Sequence, residues 1–283
     1  MRGILAAILL VAFLTTPLSA QELTGTLLQI QKSGKIKIGY RQSQPPMSSL
    51  GKDSIPVGYS IDICKHIVTG IKNKIGSNVN IEYVPVTAAE RFEALSGNKI
   101  DILCGATTKT LSRSELVDFT QLTFVTGASF MTLKGTNLMN NFNGKKIGVV
   151  KGTTTYAALK ELFQDPEIKA EIVLVDTTTD GLNAMVKGEI DAISADQVVL
   201  IGLALKSGRP EIYTILPSLI SYEPFALAVR RNDADFRLVA DRVISHLYRS
   251  KKILKIYNEW FGQFSNQMPT AFEAVIMINA TPE

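Results

Sequence analysis

Residues 81–104 read IEYVPVTAAERFEALSGNKIDILC and residues 171–194 read EIVLVDTTTDGLNAMVKGEIDAIS, so the chain carries two copies of one pattern. Each copy begins with a β-rich run, passes through a polar turn into a helix of two to three turns, and ends in a second apolar run. A strand, a helix and a strand in this order form a parallel βαβ unit. The agreement in register extends over more than 20 residues, which argues against a chance match.

Each copy has an upstream strand and helix of its own. In the first half, the alternating run KIKIGY at residues 35–40 precedes a helix at residues 60–75, whose apolar residues keep helical spacing. In the second half, a strand at residues 145–150 precedes a helix that opens near Thr154 and runs through Phe163. Both halves therefore read βαβαβ, and 283 residues suit two α/β lobes of about 100 residues each, with a cleft between them.

The first 20 residues have the pattern of a secretory signal peptide. Arg2 supplies a positive start, residues 4–14 form an apolar run, and small residues lead to Ala20. The apolar run is shorter than the roughly 20 residues that a membrane-spanning helix needs. We expect cleavage after Ala20 and export of a soluble protein, without a lipid anchor because no cysteine lies at the exit.

The bulk composition is that of a globular protein and gives no support for nucleic-acid binding. Hydrophobic residues make up 46% of the chain and charged residues 20%, and the net charge of +4 is spread over scattered lysines and arginines. The two histidines, His66 and His246, have no metal-ligand spacing, so we expect no metal site. The two cysteines, Cys64 and Cys104, either pair in an oxidising compartment or remain buried thiols, and the sequence leaves both alternatives open.

A carboxylate receptor is indicated at the end of the first copy. The apolar run at residues 100–104 stops at Gly105, and a hydroxyl-rich turn with Thr107 and Thr108 follows before Arg113. Arginine binds a carboxylate through two parallel N–H donors, and nearby N–H and O–H groups complete the shell. The alternative is an ordinary loop with a surface arginine. Polar residues at the other strand ends favour the receptor.

Ligands of open α/β sheets bind beyond the carboxyl ends of the strands, so polar residues there are candidates. In the first half, Arg41 and Arg91 either line the pocket and meet a second carboxylate of the ligand, or lie on the surface as solvated side chains. In the second half, Thr153 and Thr154 open a helix whose N-terminal N–H groups attract a carboxylate. Asp196 follows the last strand of the second copy and either accepts hydrogen bonds from an α-ammonium or caps the next helix. This set suits a zwitterion.

Several short motifs, taken in their order and spacing, resemble the extracellular solute-binding proteins of polar amino-acid ABC transporters, family 3. The resemblance covers residues 28–261. It is carried by GYRQSQPPM from Gly39, VGYSIDIC from Val57, IDILCGATTKTLSRSELVDFT from Ile100, GKKIGVVKGTTT from Gly144, GEIDAISAD from Gly188 and YNEWFG from Tyr257. Within the family the chain is similar to glutamate/aspartate-binding proteins, through Arg41, the Arg91 of AAER, CGATT and KGTTT.

The resemblance implies a role for each candidate residue. Arg113 and Thr108 match the α-carboxylate ligands, and Asp196 matches the ammonium ligand. Thr154 matches a carboxylate contact from the second lobe. The predicted ligand-binding residues are Arg41, Arg91, Thr107, Thr108, Arg113, Thr153, Thr154 and Asp196.

The implied ligand is an acidic amino acid, because Arg41 and Arg91 match residues that meet its side-chain carboxylate. The chain departs from the glutamate/aspartate pattern at three positions. Ala88 and Ala106 stand where the pattern has serines, and Thr178 stands where it has histidine. Each departure removes or changes a polar contact, so a neutral polar ligand such as glutamine is the alternative.

The resemblance also implies a type II periplasmic-binding-protein fold and its partners. Residues 21–128 begin lobe 1, residues 129–224 form lobe 2, and residues 225–283 return to lobe 1 with a tail whose role the sequence leaves open. Two crossing strands act as a hinge, so a ligand that touches both lobes stabilises the closed form. The protein is then a monomeric periplasmic component of an ABC importer, which delivers an amino acid to a permease and ATPase complex and needs no cofactor.

Two other functions fit the same fold. An exported dehydratase acting on cyclohexadienyl compounds or arogenate would use the same carboxylate grip and add an acid to protonate a leaving hydroxyl. The sequence singles out no such acid, so we predict that the protein is not an enzyme. A ligand-sensing module would have to act through a separate receptor.

Overall fold

Strands and helices alternate along the chain, as the repeat predicts. The computed structural model describes residues 22–138, 141–264 and 268–283, so the predicted signal peptide at residues 1–20 lies outside the described residues. The strands are β1 (Lys35–Tyr40), β2 (Ser43–Gln44), β3 (Ser48–Leu50), β4 (Pro56–Val57), β5 (Asn80–Pro85), β6 (Ile102–Cys104), β7 (Val117–Thr126), β8 (Ala128–Leu133), β9 (Lys146–Val150), β10 (Glu171–Val175), β11 (Ala192–Asp196), β12 (Tyr213–Ile215) and β13 (Glu223–Arg230). The α-helices are α1 (Gly25–Ser33), α2 (Tyr59–Ile75), α3 (Arg91–Ser96), α4 (Leu111–Ser114), α5 (Thr154–Leu162), α6 (Thr178–Val186), α7 (Gln197–Lys206), α8 (Ala234–Arg249), α9 (Lys252–Phe261) and α10 (Thr270–Ile278). No helix in the described part of the chain has the length and apolar character needed to cross a membrane.

The first large sheet has the strand order β5-β1-β6-β13-β7 and is the centre of lobe 1. β1 runs parallel to β5 and β6, whereas β13 runs antiparallel to β6 and β7. Helices α1 to α4 and α8 to α10 pack on this sheet or on each other. The apolar face of α2, from Ile61 to Ile75, is buried as its helical spacing predicts.

The second large sheet has the order β10-β9-β11-β8-β12 and is the centre of lobe 2. β9 runs parallel to β10 and β11, and β8 runs antiparallel to β11 and β12. Helices α5, α6 and α7 pack on this sheet. Each lobe is therefore built on one βαβαβ unit, β1-α2-β5-α3-β6 or β9-α5-β10-α6-β11, which confirms the predicted α/β fold class.

The second helices of the two copies differ in length. α6 has nine residues and begins with a capping box, in which Thr177 and Asp180 each accept a hydrogen bond from the other's backbone N–H. α3 has only six residues, which is shorter than the predicted two to three turns. Gly97 follows it directly, and Asn98 turns into the left-handed region with φ of 57°, so the helix cannot continue.

Two neighbouring connections join the lobes. The chain passes from β7 to β8 through Gly127 and returns between β12 and β13. A Cβ atom at Gly127 would lie 2.3 Å from the carbonyl oxygen of Ser221, so the close approach of the two connections requires glycine. The backbone N–H of Ala128 donates a hydrogen bond to Ser221 Oγ at 3.0 Å. The two connections therefore contact each other at the hinge.

Cys64 of α2 and Cys104 of β6 form a disulfide bond, which decides between the two alternatives that the sequence leaves open. Both cysteines are buried. The bond fastens α2 to the strand whose carboxyl end carries the turn with Thr107 and Thr108. Because it links residues 40 positions apart, the chain-entropy model gives it a stabilising effect of about 4 kcal/mol.

The C-terminal tail packs on lobe 1. Phe272 of α10 is buried, and its ring centroid lies 4.8 Å from that of Phe124 and 5.3 Å from that of Tyr257. The side chain of Asn279 accepts a hydrogen bond from the backbone N–H of Leu122 at 3.2 Å. The tail thus completes an aromatic core beside β7.

Candidate functional site

The predicted residues of lobe 1 lie at the carboxyl ends of its strands. Arg41 directly follows β1, and Thr107 and Thr108 follow β6 after two residues. Arg91 is the first residue of α3, and Arg113 lies in the short helix α4. This is the edge of an α/β sheet at which ligands bind.

Lobe 2 brings its predicted residues to the same place. Thr153 and Thr154 begin α5, and Asp196 ends β11. Thr108 Oγ1 of lobe 1 lies 3.3 Å from Thr154 Oγ1. The carboxylate of Asp196 is close enough to the arginines of lobe 1 to influence their pKa values. The structure therefore gathers the predicted residues of both lobes around one cleft.

The three arginines form a cluster of positive charge. Arg41 and Arg91 are only 5% and 3% exposed, so neither is a solvated surface side chain. Burial lowers the pKa of Arg41 to about 10. Burial also lowers the pKa of Arg91, and the positive charges of Arg113 and Arg41 lower it further. None of the three forms a salt bridge with another described residue, so the cluster favours the binding of an anion.

Two of these arginines make cation–π contacts with the ring of Phe92. The guanidinium carbon of Arg91 lies 4.5 Å from the ring centroid, and that of Arg113 lies 5.5 Å from it. Arg113 Nη1 donates to the backbone carbonyl of Thr108 at 2.8 Å, and Arg91 Nη2 donates to that of Gly152 at 3.3 Å. These contacts hold both side chains in place and leave other guanidinium N–H groups for a ligand.

Glu223, which the sequence interpretation does not include, lies between the threonines of the two lobes. It is the first residue of β13 and is 1% exposed. Its Oε2 accepts hydrogen bonds from Thr154 Oγ1 at 2.7 Å and from Thr108 Oγ1, and its Oε1 accepts one from Ser221 Oγ at 2.6 Å. The sequence feature that could have identified Glu223 is its position, as an acidic residue at the point where the chain returns to lobe 1.

The other two predicted threonines differ in what their hydroxyls do. Thr153 caps α5, because its Oγ1 accepts from the backbone N–H of Tyr156 at 3.2 Å and donates to the carbonyl of Val150 at 2.7 Å. Its hydroxyl is occupied, and its effect on the site is to fix the N-terminus of α5 beside Thr108. The hydroxyl of Thr107 is buried and has no hydrogen-bond partner among the described residues.

Asp196 precedes α7, but its side chain makes no capping hydrogen bond to this helix. Asp196 thus occupies the N-cap position of α7, as the alternative predicts, but its carboxylate does not cap the helix. The pKa of Asp196 is raised from its ordinary value to about 8. Burial is the largest cause, the negative charge of Glu223 also raises the pKa, and the positive charges of Arg113 and Arg91 lower it.

Three buried side-chain polar atoms in the described part of the chain lack a hydrogen-bond partner, and all three belong to this site. They are Arg91 Nε, Thr107 Oγ1 and Asp196 Oδ1. Leaving such an atom unpaired costs about 1–3 kcal/mol, which is why buried polar groups are nearly always satisfied. A cationic donor, a hydroxyl and a carboxylate oxygen at one place indicate a ligand with both negative and positive groups.

Direct contacts hold the lobes together around the site. Thr178 Oγ1 at the start of α6 donates to the carbonyl of Ser43 in lobe 1. Lys206 Nζ at the end of α7 donates to the carbonyl of Leu50 in lobe 1 at 3.0 Å. Thr178 stands where the resemblance implies histidine, and here that position serves a contact between the lobes. The lobes are thus closed on each other.

Two α/β lobes that close around a charged cleft are typical of binding proteins for small solutes. The sequence model described as bacterial extracellular solute-binding proteins, family 3, matches residues 36–263. The match covers most of the 283 residues, and the chain belongs to this family.

Individual relatives carry names of the same kind. The L-glutamate/L-aspartate-binding protein of Pseudomonas aeruginosa is 30% identical over 265 residues, which cover 92% of this chain and 88% of the relative. The glutamate/aspartate import solute-binding protein of Salmonella typhimurium is 28% identical over 239 residues, which cover 83% of this chain and 79% of the relative. The crystal structure of a cysteine-binding protein from Campylobacter jejuni matches with a TM-score of 0.76 at 26% identity, covering 88% of this chain and 98% of that one.

Proposed function

We propose that the chain is the substrate-binding component of an ABC importer and that its cleft takes glutamate or aspartate. The observation that carries this proposal is the cluster of three arginines, none of which has a salt-bridge partner in the described residues. Two relatives named for glutamate/aspartate binding support the same ligand class. Because these relatives are binding proteins by name, they support transport rather than the dehydratase alternative.

The charge balance of the site favours an acidic ligand over a neutral one. Among the groups of the site that are shielded from solvent, Arg41, Arg91 and Arg113 outnumber the carboxylates of Asp196 and Glu223 by one charge when all five are ionised. Glu90 also attracts Arg41, but it is exposed and water screens its charge. Glutamate and aspartate carry a net charge of about −1 at neutral pH, which cancels this excess. A neutral ligand such as glutamine leaves the charge uncompensated inside the closed cleft.

Each part of the ligand has a matching group in the site. Arg113 and the N-terminal N–H groups of α5 hold the α-carboxylate, and Asp196 accepts hydrogen bonds from the α-ammonium. Arg41 and Arg91 meet the side-chain carboxylate. Thr153 contributes through its cap of α5, because its hydroxyl is already hydrogen-bonded at both ends.

We also propose the division of the chain and its location. Residues 1–20 are a signal peptide removed on export, residues 21–128 and 225–283 form lobe 1, and residues 129–224 form lobe 2. The change of sheet at Gly127 and the extracellular family support this division. The mature protein acts as a monomer in the periplasm and hands its ligand to a membrane permease and ATPase complex.

A thermal-shift screen of the mature protein against all twenty amino acids tests the proposed function, after unfolding and refolding to remove any co-purified ligand. A ligand at about 100 times its Kd stabilises the folded state by roughly 2.7 kcal/mol, which such a screen detects readily. We expect the largest shifts for glutamate and aspartate. Shifts confined to neutral or basic amino acids would contradict the acidic ligand, and no shift with any of the twenty would contradict amino-acid binding.

Arg91→Ala is expected to weaken glutamate binding about tenfold or more, since a hydrogen bond to a charged group contributes roughly 1.5–3 kcal/mol. Glutamine binding should weaken much less, because glutamine has no side-chain carboxylate. Calorimetric titration of both ligands measures this. The ratio of the two losses cancels any shared effect on closure from losing the contact between Arg91 and Gly152.

Arg209→Ala is the matched control for Arg91→Ala, because it removes the same charge from an exposed position. It should change neither affinity. Equal losses for glutamate and glutamine in Arg91→Ala would rule out the proposed contact with the side-chain carboxylate.

The pH dependence of binding should report the state of Asp196. Its pKa is raised to about 8, so at lower pH the carboxyl holds a proton that it must release to pair with an ammonium. The affinity should therefore rise with pH, by up to about tenfold per unit, and level off near pH 8. In the absence of ligand the sign is opposite, because a folded-state pKa above the ordinary value favours folding at low pH and less so as pH rises towards 8.

Titration calorimetry between pH 5.5 and 8.5, in buffers of different ionisation enthalpy, measures the affinity and the released proton together. Asp196→Asn should bind more weakly and with a flatter pH profile. An affinity for glutamate that stays constant over this pH range in the wild-type protein would disprove the pairing of Asp196 with the ammonium.

A further inference from the structure

The carboxylate of Glu223 joins the two lobes at the hinge side of the cleft. Its Oε2 receives one hydrogen bond from Thr108 of lobe 1 and one from Thr154 of lobe 2, the latter at 2.7 Å. Its Oε1 receives a third from Ser221, which lies on the connection between the lobes, at 2.6 Å. A single oxygen atom is therefore shared by side chains from both lobes.

The partners of Glu223 are unusual for a buried acid. The residue is 1% exposed, yet it forms no salt bridge with any described residue, and three hydroxyl groups surround its oxygens instead. Burying a carboxylate is costly unless hydrogen bonds replace its lost hydration. Thr108 belongs to lobe 1 and Thr154 to lobe 2, so both hydroxyls reach the carboxylate at once only while the lobes are together, and it loses one of these partners when the cleft opens.

The same hydrogen bonds fix the direction of both threonine hydroxyls. An ionised carboxylate only accepts hydrogen bonds, so Thr108 and Thr154 each point their single proton at Glu223. The contact of 3.3 Å between the two hydroxyl oxygens then has no proton to share. Towards any other group, both oxygens present lone pairs and can act only as acceptors.

We propose that Glu223 is a positioning residue for ligand binding, which ties the lobes together through Thr108 and Thr154 and makes both hydroxyls acceptors in the closed cleft. The inference rests on the proposed function in amino-acid binding. It changes the expected role of the two threonines, because a ligand carboxylate must then take its donors from Arg113 and backbone N–H groups rather than from these side chains.

A double-mutant cycle with Glu223→Gln and Thr154→Val tests the coupling between Glu223 and Thr154, with glutamate binding measured by calorimetry. Glutamine at position 223 keeps the shape but loses the charge and the purely accepting character. We expect each single variant to weaken binding roughly 10- to 100-fold and the double variant to be little worse than Glu223→Gln alone. Losses that simply multiply, or an unchanged affinity in Glu223→Gln, would overturn the inference.

The pH dependence of the affinity for glutamate distinguishes this role from a merely structural one, which would leave that pH dependence unchanged. Asp196 faces Glu223, Arg113, Arg91 and Arg41, and the charge of Glu223 raises its pKa. Glu223→Gln should therefore shift the rise of affinity to lower pH, whereas the control Glu167→Gln, at an exposed position of lobe 2, should leave it in place. An identical midpoint in Glu223→Gln and the wild-type protein would also count against the inference.

Closure can be followed separately by X-ray scattering with and without glutamate. Glu223→Gln should need a higher glutamate concentration to reach the compact form, in proportion to its weaker affinity. Should Glu223→Gln fail to fold, Thr154→Val removes the hydrogen bond from Thr154 to Glu223, and Ser221→Ala removes the one from Ser221 to Glu223 together with the one from the Ala128 N–H. Each variant should weaken binding while Glu223 remains. A wild-type protein that binds no amino acid would overturn the proposed function together with this inference, whereas normal wild-type binding with multiplicative losses would overturn this inference alone.

Discussion

Arg113→Ala is expected to reduce the affinity for every amino acid that the wild-type protein binds by roughly a hundredfold or more. All amino acids share the α-carboxylate, and removing one partner of a buried, hydrogen-bonded charge pair costs about 2–5 kcal/mol. The guanidinium of Arg113 is held in place by the carbonyl of Thr108 at 2.8 Å and by the ring of Phe92. Its position is therefore fixed before a ligand arrives, and alanine removes both the charge and the fork of donors.

Two variants sharpen the result for Arg113. Arg113→Lys keeps the charge but not the planar pair of donors, so it should recover only part of the affinity. Arg231→Ala is the matched control, because Arg231 also donates through Nη1 to a backbone carbonyl of lobe 1, that of Glu115, but lies exposed. Calorimetric titration with glutamate, aspartate and glutamine measures all three variants. A loss of less than about tenfold in Arg113→Ala, or a loss confined to acidic ligands, is incompatible with an α-carboxylate contact.

Gly202→Val is expected to prevent closure and to weaken binding of every ligand by roughly a hundredfold. Gly202 lies in α7 of lobe 2 and faces lobe 1, where a Cβ atom would come within 2.3 Å of the Pro45 carbonyl oxygen and 2.7 Å of Pro46 Cδ. Backbone atoms cannot yield as a flexible side chain does, so the lobes must stay apart. The ligand then loses its contacts with Asp196 and the N-terminus of α5, which are worth about 3 kcal/mol together on the scale of charged hydrogen bonds.

The fold of each lobe should survive in Gly202→Val, because the clash is with the other lobe. X-ray scattering should show a larger radius of gyration at saturating glutamate than for the wild-type protein, and the melting temperature without ligand should change little. Asn183→Val, which puts the same side chain at an exposed position of α6, is the control and should bind normally. Wild-type affinity and a compact form in Gly202→Val would show that closure at this contact is not needed for binding.

The strands and helices that set the fold could be predicted from periodic patterns. The alternation of β1 and the helical spacing of α2 extend over many residues, and burial imposes both patterns directly on the sequence. The short helix α3 was predicted too long, because Asn98 ends it through a backbone conformation that residue type alone does not fix.

The chemistry of the site could be predicted only in part. Arg41, Arg91 and Arg113 stand at strand and helix ends, which the sequence locates, so their gathering at one edge follows from the topology. Glu223 is 115 residues from Thr108 and 69 from Thr154, and its contacts depend on the path of the hinge connections. Such a meeting of distant side chains leaves no local pattern to detect.

The disulfide and the C-terminal tail also depend on contacts between distant residues, which the sequence does not reveal. A separation of 40 residues does not tell whether Cys64 and Cys104 pair, because the answer depends on how α2 lies over β6. Phe272 contacts Phe124 and Tyr257 only after the tail has folded back on lobe 1. Both features require the assembled lobe.

Titration calorimetry of residues 21–283 with glutamate and with glutamine is the most direct test of the central claim, that the closed cleft binds an acidic amino acid through its cluster of arginines. We predict saturable binding of one glutamate per chain, with an affinity at least tenfold above that for glutamine, since each charged hydrogen bond contributes roughly 1.5–3 kcal/mol. Equal affinity for the two ligands, or binding of glutamine alone, would contradict the claim.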